Sequence, residues 1–181
     1  PYDVLLDMFE KGASRATLDP FFAALRRDLT PVVKAVGEKP APDTSFLTGG
    51  FPLEGQRALS DQVMALMGID RDYCAIGETE HPFTENFSKF DVRITTHYHE
   101  DDVLSSLYSV IHEGGHALYE LGVADELQFT CLGTGASMGL HESQSRFMEN
   151  LIGRSRPFCE ALLPLFKKQF AQFEHVTAEQ L

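Results

Sequence analysis

The sequence predicts a mainly α-helical protein with one small β-structure. Apolar residues recur at helical spacing through most of the chain. Only two segments, 71–77 and 90–97, have the alternating or β-branched pattern that is typical of strands. We expect these two segments to form a hairpin or a small sheet that packs on a helix. The length of 181 residues and a hydrophobic content of 43% are sufficient for one domain with a sizeable core.

The helices are bounded by ordinary start and stop signals. We predict helices over 2–9, about 20–36, 54–67, 103–121 and 136–154, and a last helix from 157 onward. The pair Asp19-Pro20 indicates an N-cap followed by a proline at the first position of the second helix. We expect that helix to bury an apolar stripe, which comprises Phe21, Leu25, Leu29 and Val32 or Val33. The loop 37–52 is long for a compact domain, and such loops are often functional.

Composition excludes several functional classes. The formal net charge of −12 disfavours binding to nucleic acid or to anionic membranes. The sequence has no run of about eighteen apolar residues, so we expect no membrane span, and we see no signal peptide. The three cysteines, Cys74, Cys131 and Cys159, are widely spaced, which argues against a disulfide framework or a cysteine zinc site. We therefore expect a reducing, cytoplasmic location.

The helix 103–121 carries the residues with the clearest chemistry. His112 and His116 are one helical turn apart, so both imidazoles can point at one metal ion. Glu113 is rotated by about 100° from His112, so it can hold a water molecule without binding the metal itself. This is the His-Glu-x-x-His arrangement of zinc peptidases. The alternative is a buried helix in which both histidines have protein partners.

Two glycines follow within the same motif. Gly114 and Gly115 are poor helix residues that cost about 1 kcal/mol each relative to alanine. We interpret them as sites where a substrate or a neighbouring helix approaches closely. Packing alone would also explain them.

A catalytic zinc ion takes three protein ligands, so a third ligand is required. The metzincin pattern is excluded, because Tyr119 and Gly122 stand where that pattern needs a glycine and a histidine. A carboxylate from a second helix remains, and the candidates are Glu120, Asp125, Glu126, Glu142 and Glu149.

Spacing ranks these candidates without deciding between them. Glu120 lies a full turn beyond His116, which suits a supporting role better than metal binding. Adjacent helical residues diverge by about 100°, so His141 and Glu142 are not expected to be ligands together. We place Glu142 ahead of Glu149.

Four motifs together resemble a known family. They are His112-Glu113-Gly114-Gly115-His116, His141-Glu142-Ser143-Gln144, Asp91-Val92-Arg93-Ile94-Thr95 and His81-Pro82-Phe83. Their order and spacing resemble the thermostable carboxypeptidase (carboxypeptidase Taq) family of zinc carboxypeptidases. The resemblance extends over essentially the whole chain.

The resemblance implies a zincin-like, mainly helical metallopeptidase core, with the small sheet beside the motif helix and a deep groove. It implies His112, His116 and Glu142 as metal ligands and Glu113 as the general base. It also implies one divalent metal per chain, zinc or alternatively cobalt, a cytoplasmic homodimer, and peptide substrates that lose single C-terminal residues. The remaining site candidates, for substrate binding or for support of the ligands, are His81, Asp91, Arg93, His141 and Gln144.

Alternatives remain for individual residues and for the whole. Arg93 could form an ion pair with Asp91, and His81 could only brace its loop. The chain could also be a related zinc oligopeptidase or endopeptidase, or an inactive metal-binding fragment. An edge strand beside the metal helix could pair with an extended peptide.

The chain departs from the family in its length. Family members are much longer, and two later motifs, Ile-Arg-x-x-Ala-Asp and a segment with Gln-Asp-x-His-Trp, are absent. The first is expected to supply the arginine that holds the substrate carboxylate. We therefore expect residues 1–181 to be part of a catalytic domain, truncated at both ends, with weak activity alone.

Overall fold

The computed structural model describes residues 2–181, which divide into two compact units. The first unit comprises the residues up to Asp43 together with Ser137–Gly139. The second unit comprises Thr44–Ala136 and Leu140–Leu181, and it contains every candidate site residue. No helix in the described part of the chain has both the length and the apolar character to cross a membrane.

The first unit is built on two helices, α1 (Tyr2–Phe9) and α2 (Arg15–Gly37). The predicted start of α2 at Asp19-Pro20 is wrong, because the helix begins earlier. Ser14 caps it by accepting a hydrogen bond from the backbone N–H of Thr17, whose hydroxyl in turn accepts from the N–H of Ser14. This reciprocal capping box satisfies two backbone donors, and Pro20 lies inside the helix.

The apolar stripe of α2 is not buried, which corrects the prediction. Its members are between 40% and 68% exposed, namely Phe21, Leu25, Leu29, Val32 and Val33. Within the described residues of this unit, two helices and a short segment provide no second layer to cover that face.

The second unit is a helical layer with a small sheet. Its helices are α3 (Leu53–Leu66), α4 (Val103–Leu121), most of α5 (Met138–Arg146) and α6 (Arg156–Gln169), and its strands are β1 (Cys74–Glu78), β2 (Thr84–Ser88) and β3 (Asp91–Thr96). Short 3₁₀ turns cover Ser45–Leu47, Asp125–Leu127 and Ala171–Phe173. A π-helical segment, Phe147–Ile152, follows α5, so the single helix predicted over 136–154 is two segments of different winding.

The three strands form one sheet in the order β1-β3-β2. β1 and β3 are parallel, with Cys74 opposite Val92, so the two predicted strands do not form a hairpin. β2 was not predicted, and it pairs antiparallel with β3, with Thr84 opposite Ile94. The expectation of a small sheet beside the motif helix is confirmed.

The two faces of the sheet differ in what they meet. Val92 and Ile94 are fully buried and belong to the same core as α4. Thr84 and Asn86 lie opposite them in the register and hydrogen-bond to side chains of α4. Arg93 points to the other face, as expected for the alternation of side chains along a strand. Because β3 is paired on both sides, β2 is the edge strand next to α4.

In the core, α4 packs against the sheet, α3 and the π-helical segment, and α3 in turn packs against α6. The largest fully buried side chains of the core include Phe51, Leu59, Met64, Ile94, Ile111, Leu162, Phe166 and Phe173. Burying a side chain of this size stabilises the fold by about 1.5–3 kcal/mol. Buried Gln56 donates to the carbonyls of Phe51 and His99 and accepts from the hydroxyl of Ser106, so the polar start of α4 is tied to α3.

Candidate metal centre

Three potential metal ligands converge where α4 faces α5. The candidate ligand atoms of His112, His116 and Glu142 all lie within 4.8 Å of one another. Glu142 Oε2 is 3.6 Å from His112 Nε2 and 3.3 Å from His116 Nε2. The structure thus brings together the three residues that the family resemblance implies.

The first histidine is held in one tautomer by a partly buried acid. His112 Nδ1 lies 2.9 Å from Glu149 Oε2. An ionised carboxylate only accepts hydrogen bonds, so His112 carries its proton on Nδ1 and has a lone pair on Nε2. That lone pair faces Glu142, as a metal ligand requires. Glu149, a runner-up for the third ligand, therefore hydrogen-bonds to a candidate ligand instead.

Glu149 lies in the π-helical segment and is itself held by cations. Arg146 Nη1 is 3.1 Å from Glu149 Oε2, and Arg154 Nη2 is 3.2 Å from Glu149 Oε1. Burial alone would raise the pKa of Glu149, but the hydrogen bonds from His112 and Arg154 outweigh it and lower the pKa. Glu149 is thus ionised where His112 needs an acceptor.

Glu142 is oriented by neighbours on its own helix. Arg146 Nε donates to Glu142 Oε1 at 2.8 Å, and the Ser145 hydroxyl donates to Oε2 at 3.0 Å. Burial alone would raise the pKa of Glu142, but these hydrogen bonds lower it below its usual value. Arg146 occupies Oε1, which leaves Oε2 directed at the two histidines.

The two glycines of the motif allow neighbours to approach. A Cβ at Gly115 would lie 2.7 Å from Ser145 Cα and 2.9 Å from the Gln144 carbonyl oxygen. A Cβ at Gly114 would lie 2.7 Å from the methyl end of Met67. The predicted close approach of a neighbouring helix is confirmed at Gly115, where α5 brings Glu142 to α4.

Glu113 lies beside the ligand cluster but is not part of it. It is 7% exposed, and its Oε2 accepts a hydrogen bond of 2.7 Å from the hydroxyl of Thr84 on β2. Burial raises the pKa of Glu113, and the Thr84 hydrogen bond partly offsets this. A carboxylate with a raised pKa and one oxygen anchored is suited to take up and release a proton.

His116 has a different environment from His112. Its Nδ1 lies 2.6 Å from His141 Nδ1, and His141 Nε2 lies 2.7 Å from Glu120 Oε1. Burial is the main cause that lowers the pKa of His116 to about 4. His116 is therefore neutral at pH 7, the state in which an imidazole binds a metal.

The proposed substrate residues on β3 are not brought to the cluster. Arg93 binds Asp91 through two hydrogen bonds of 2.8 Å, and its guanidinium also lies over the ring of Phe87. Both partners are on the sheet face that does not contact α4. The geometry thus shows the ion pair that was the alternative, and it gives no support to substrate binding by Asp91 or Arg93.

The two remaining candidates are His81 and Gln144. His81 is exposed and lies close enough to lower the pKa of Glu113, while its carbonyl accepts a hydrogen bond from Thr79. Gln144 presents its backbone carbonyl to Gly115. Roles for the side chains of His81 and Gln144 stay predictions.

Several residues at the site were not singled out from the sequence. They are Thr84, Asn86, Thr134, Arg146 and Arg154. Arg146 and Glu149 lie four and seven residues after Glu142, a spacing that places all three on one helical face. That signal was available, whereas the contacts of Thr84, Asn86 and Thr134 depend on tertiary structure.

The comparisons with known proteins agree with this geometry. A sequence model of the family described as Carboxypeptidase Taq (M32) metallopeptidase matches residues 1–181. Carboxypeptidase 1 of Bacillus subtilis is 46% identical over 171 residues, which are 93% of this chain and 33% of that protein. Thermostable carboxypeptidase 1 of Thermus thermophilus is 40% identical over 179 residues, covering 98% of this chain and 35% of that protein.

Solved structures with substantial sequence identity to this chain have the same fold. The M32 carboxypeptidase from Deinococcus radiodurans R1 matches with a TM-score of 0.94 and 41% identity, over 99% of this chain and 36% of that one. Metallocarboxypeptidase 1 of Trypanosoma cruzi matches with a TM-score of 0.83 and 37% identity, over 99% of this chain and 38% of that one. The chain thus spans about a third of the length of the relatives it matches. Because the family match extends over all 181 residues, the chain belongs to the carboxypeptidase Taq (M32) metallopeptidase family.

Proposed function

We propose that this chain supplies the metal site and the general base of a zinc-dependent carboxypeptidase that releases C-terminal residues from peptides. His112, His116 and Glu142 would hold the metal, and Glu113 would be the base. The observation that carries the proposal is the convergence of two histidine nitrogens and one carboxylate oxygen on one point. The family supports the same activity.

The distances from the Glu142 oxygen to the two histidine nitrogens fit a zinc ion. Ligand atoms about 2.1 Å from a tetrahedral zinc ion are about 3.4 Å from one another. Glu142 Oε2 is 3.3 Å and 3.6 Å from the two Nε2 atoms. A His₂Glu set is also one that catalytic zinc sites use. Cobalt prefers similar ligands, so the donor set alone favours zinc without excluding cobalt.

Hydrolysis divides between the metal and the protein side chains. A bound zinc ion would lower the pKa of a water molecule to about 7 and polarise the peptide carbonyl. Glu113 would take a proton from the attacking water and donate it to the leaving amine. The Thr84 hydroxyl holds Glu113 Oε2, so Oε1 remains for this transfer.

The proposal also includes a cytoplasmic location and a homodimer. All three cysteines are free, and two are buried, which supports a reducing compartment such as the cytoplasm. The homodimer implied by the family resemblance stays a prediction, which sedimentation analysis of the protein would test.

Metal binding is the first test. After zinc loading and dialysis, the chain should hold about one zinc ion, and His116→Ala should lose it. Thermal unfolding in excess chelator should confirm that the variant is folded. A folded wild-type chain without stoichiometric zinc would refute the site.

Activity needs a context that supplies the rest of the protein. We would replace the matched third of Bacillus subtilis Carboxypeptidase 1 with this chain and assay a blocked dipeptide. The chimera should release the C-terminal residue, and Glu113→Gln should lower the rate by about 10²–10⁴-fold while zinc content is unchanged. A Glu113→Gln chimera within about tenfold of the parent would exclude the general-base role.

A further inference from the structure

A row of three side chains, buried Glu120 and partly buried His141 and His116, lies behind the ligand cluster. We propose that Glu120 and His141 are positioning residues that set the tautomer of His116, so that its Nε2 lone pair is available to the metal. This inference rests on the proposed metal site and gives a positioning role to two side chains that are not ligands in it.

Glu120, which is 2% exposed, determines which atoms donate in this row of hydrogen bonds. Its Oε1 lies 2.7 Å from His141 Nε2 and 2.9 Å from the hydroxyl of Thr134. Its Oε2 lies 2.9 Å from Asn86 Nδ2. An ionised carboxylate has no proton to donate, so all three partners donate to it. His141 therefore carries a proton on Nε2.

Glu120 is ionised despite its burial. Burial alone would raise its pKa, but the hydrogen bonds from His141 and Thr134 outweigh it and lower the pKa. A buried carboxylate without such donors would be costly. These donors, together with Asn86 and the backbone N–H of Gly135, maintain the charge that determines the orientation of the row.

The proposed arrangement has a neutral His141, in which the proton on Nε2 leaves Nδ1 as an acceptor, because a neutral imidazole carries only one N–H. The two Nδ1 atoms of His141 and His116 are 2.6 Å apart, so His116 must donate. His116 then has its proton on Nδ1 and a lone pair on Nε2. This lone pair faces Glu142 Oε2 at 3.3 Å.

The ring of His141 is also held by packing. The ring of Tyr119 lies against it, with centroids 5.1 Å apart. A Cβ at Gly135 would lie 2.5 Å from His141 Cδ2, so the ring occupies space that only a glycine leaves open. Both ring nitrogens already have protein partners, which argues against the alternative that His141 binds substrate.

The two proposed metal histidines thus have the same tautomer, but different hydrogen-bond partners set it. His112 donates its Nδ1 proton directly to Glu149, which is a common arrangement for metal-binding histidines. For His116 the acid is one residue more distant, and His141 spans the gap. The two routes share no residue, so each can be changed separately.

Glu120→Gln is the informative variant, because it keeps the shape of the side chain and adds a donor. The amide oxygen would accept from Asn86, and the amide nitrogen would donate to His141 Nε2 and to the Thr134 hydroxyl. This orientation keeps Asn86, His141 and Thr134 hydrogen-bonded to the side chain at position 120. His141 would then move its proton to Nδ1 and donate to His116, whose own proton would move to Nε2.

Two measurements follow on the 181-residue chain. Ring ¹⁵N chemical shifts in the metal-free, ¹⁵N-labelled protein at pH 7.5 report the tautomers. We expect Nδ1–H at His116 and Nε2–H at His141 in the wild type, and the reverse at both in Glu120→Gln. Competition with a chromophoric zinc chelator should show zinc affinity reduced by about 10–100-fold in the variant.

Two further variants provide controls. Glu149→Gln changes the route to His112, so zinc affinity should fall while the tautomers of His116 and His141 stay as in the wild type. Thr134→Val removes one donor to Glu120 and leaves the direction of the row unchanged, so the tautomers should be retained. If Glu120→Gln does not fold, the wild-type tautomers still test the proposal.

The proposal is overturned if wild-type His116 carries its proton on Nε2, or if His141 is protonated on both nitrogens. It is also overturned if a folded Glu120→Gln protein keeps both the wild-type tautomers and the wild-type zinc affinity. Failure of the metal site is a separate result. The expected tautomers without zinc binding would refute the proposed function and leave the orientation of the row standing.

Discussion

Substitution of Gly115 by alanine should separate the ligands without removing any of them. The added Cβ would lie 2.7 Å from Ser145 Cα and 2.9 Å from the Gln144 carbonyl oxygen. Both contacts are with backbone of α5, which cannot rotate away as a side chain can. Carbon atoms in favourable contact are about 3.5–4.0 Å apart, so α5 must move by about 1 Å.

That displacement is large for a metal site. Glu142 lies three residues before Ser145 on α5, so it moves with the helix. Ligand distances in metal sites are maintained within about 0.2 Å. We expect zinc affinity to fall at least tenfold in Gly115→Ala. Overpacking should also lower the free energy of unfolding by about 1–3 kcal/mol.

Gly114→Ala is the matched control on the same helix. Its Cβ would meet the ends of two side chains, at 2.7 Å from Met67 Cε and 3.1 Å from Ile69 Cδ1. These ends can shift, and alanine gains up to about 1 kcal/mol of helix propensity. Zinc affinity should therefore stay within about threefold of the wild type.

The assay is competition for zinc with a chromophoric chelator, together with thermal unfolding in the presence of chelator. Equal zinc affinities for the two variants would refute the reasoning, because only one of them displaces the helix that carries Glu142. Weak binding by both, with equal loss of stability, would show that any added methyl on α4 is disruptive.

Two further predictions concern the base and the thiols. Thr84→Val removes a hydrogen bond that lowers the pKa of Glu113, so the acid limb of the pH–rate profile of the chimera should move to higher pH. Thr84→Ser keeps the hydroxyl and is the control. An unmoved limb in Thr84→Val would show that Thr84 does not affect the pKa of the base. Cys131 is exposed and should react with a thiol reagent at pH 7.5, whereas burial raises the pKa of Cys74 to about 11 and should protect it until unfolding. Rapid labelling of Cys74 in the native protein would contradict the described core.

Local patterns sufficed for the helix that carries the motif. α4 begins at Val103 and ends at Leu121, which are the bounds predicted from the sequence. The Asp102 carboxylate accepts from the Ser105 N–H, which is an N-cap interaction encoded within four residues. Interactions of this kind are visible in sequence because the partners are neighbours in the chain.

The sheet shows where local patterns fail. β2 has the sequence Thr-Glu-Asn-Phe-Ser, which is too polar to indicate a strand, and it is stabilised by pairing with β3. The parallel pairing of β1 with β3 could not be deduced either, because a hairpin fits the same two patterns. For α2, periodicity identified the apolar face correctly but could not show what would cover it.

The site divides in the same way. The positions of His112 and His116 follow from helical spacing, and Glu142 was favoured by its place on the next helix. Their orientation depends on Glu149 and Glu120, which reach the two histidines through contacts that cross from α4 to other elements. A motif therefore indicates which atoms can bind a metal, whereas tautomers depend on acceptors that only the fold brings near. This is why ligand substitutions test the motif, while Glu120→Gln and Gly115→Ala test the tertiary structure that makes the motif functional.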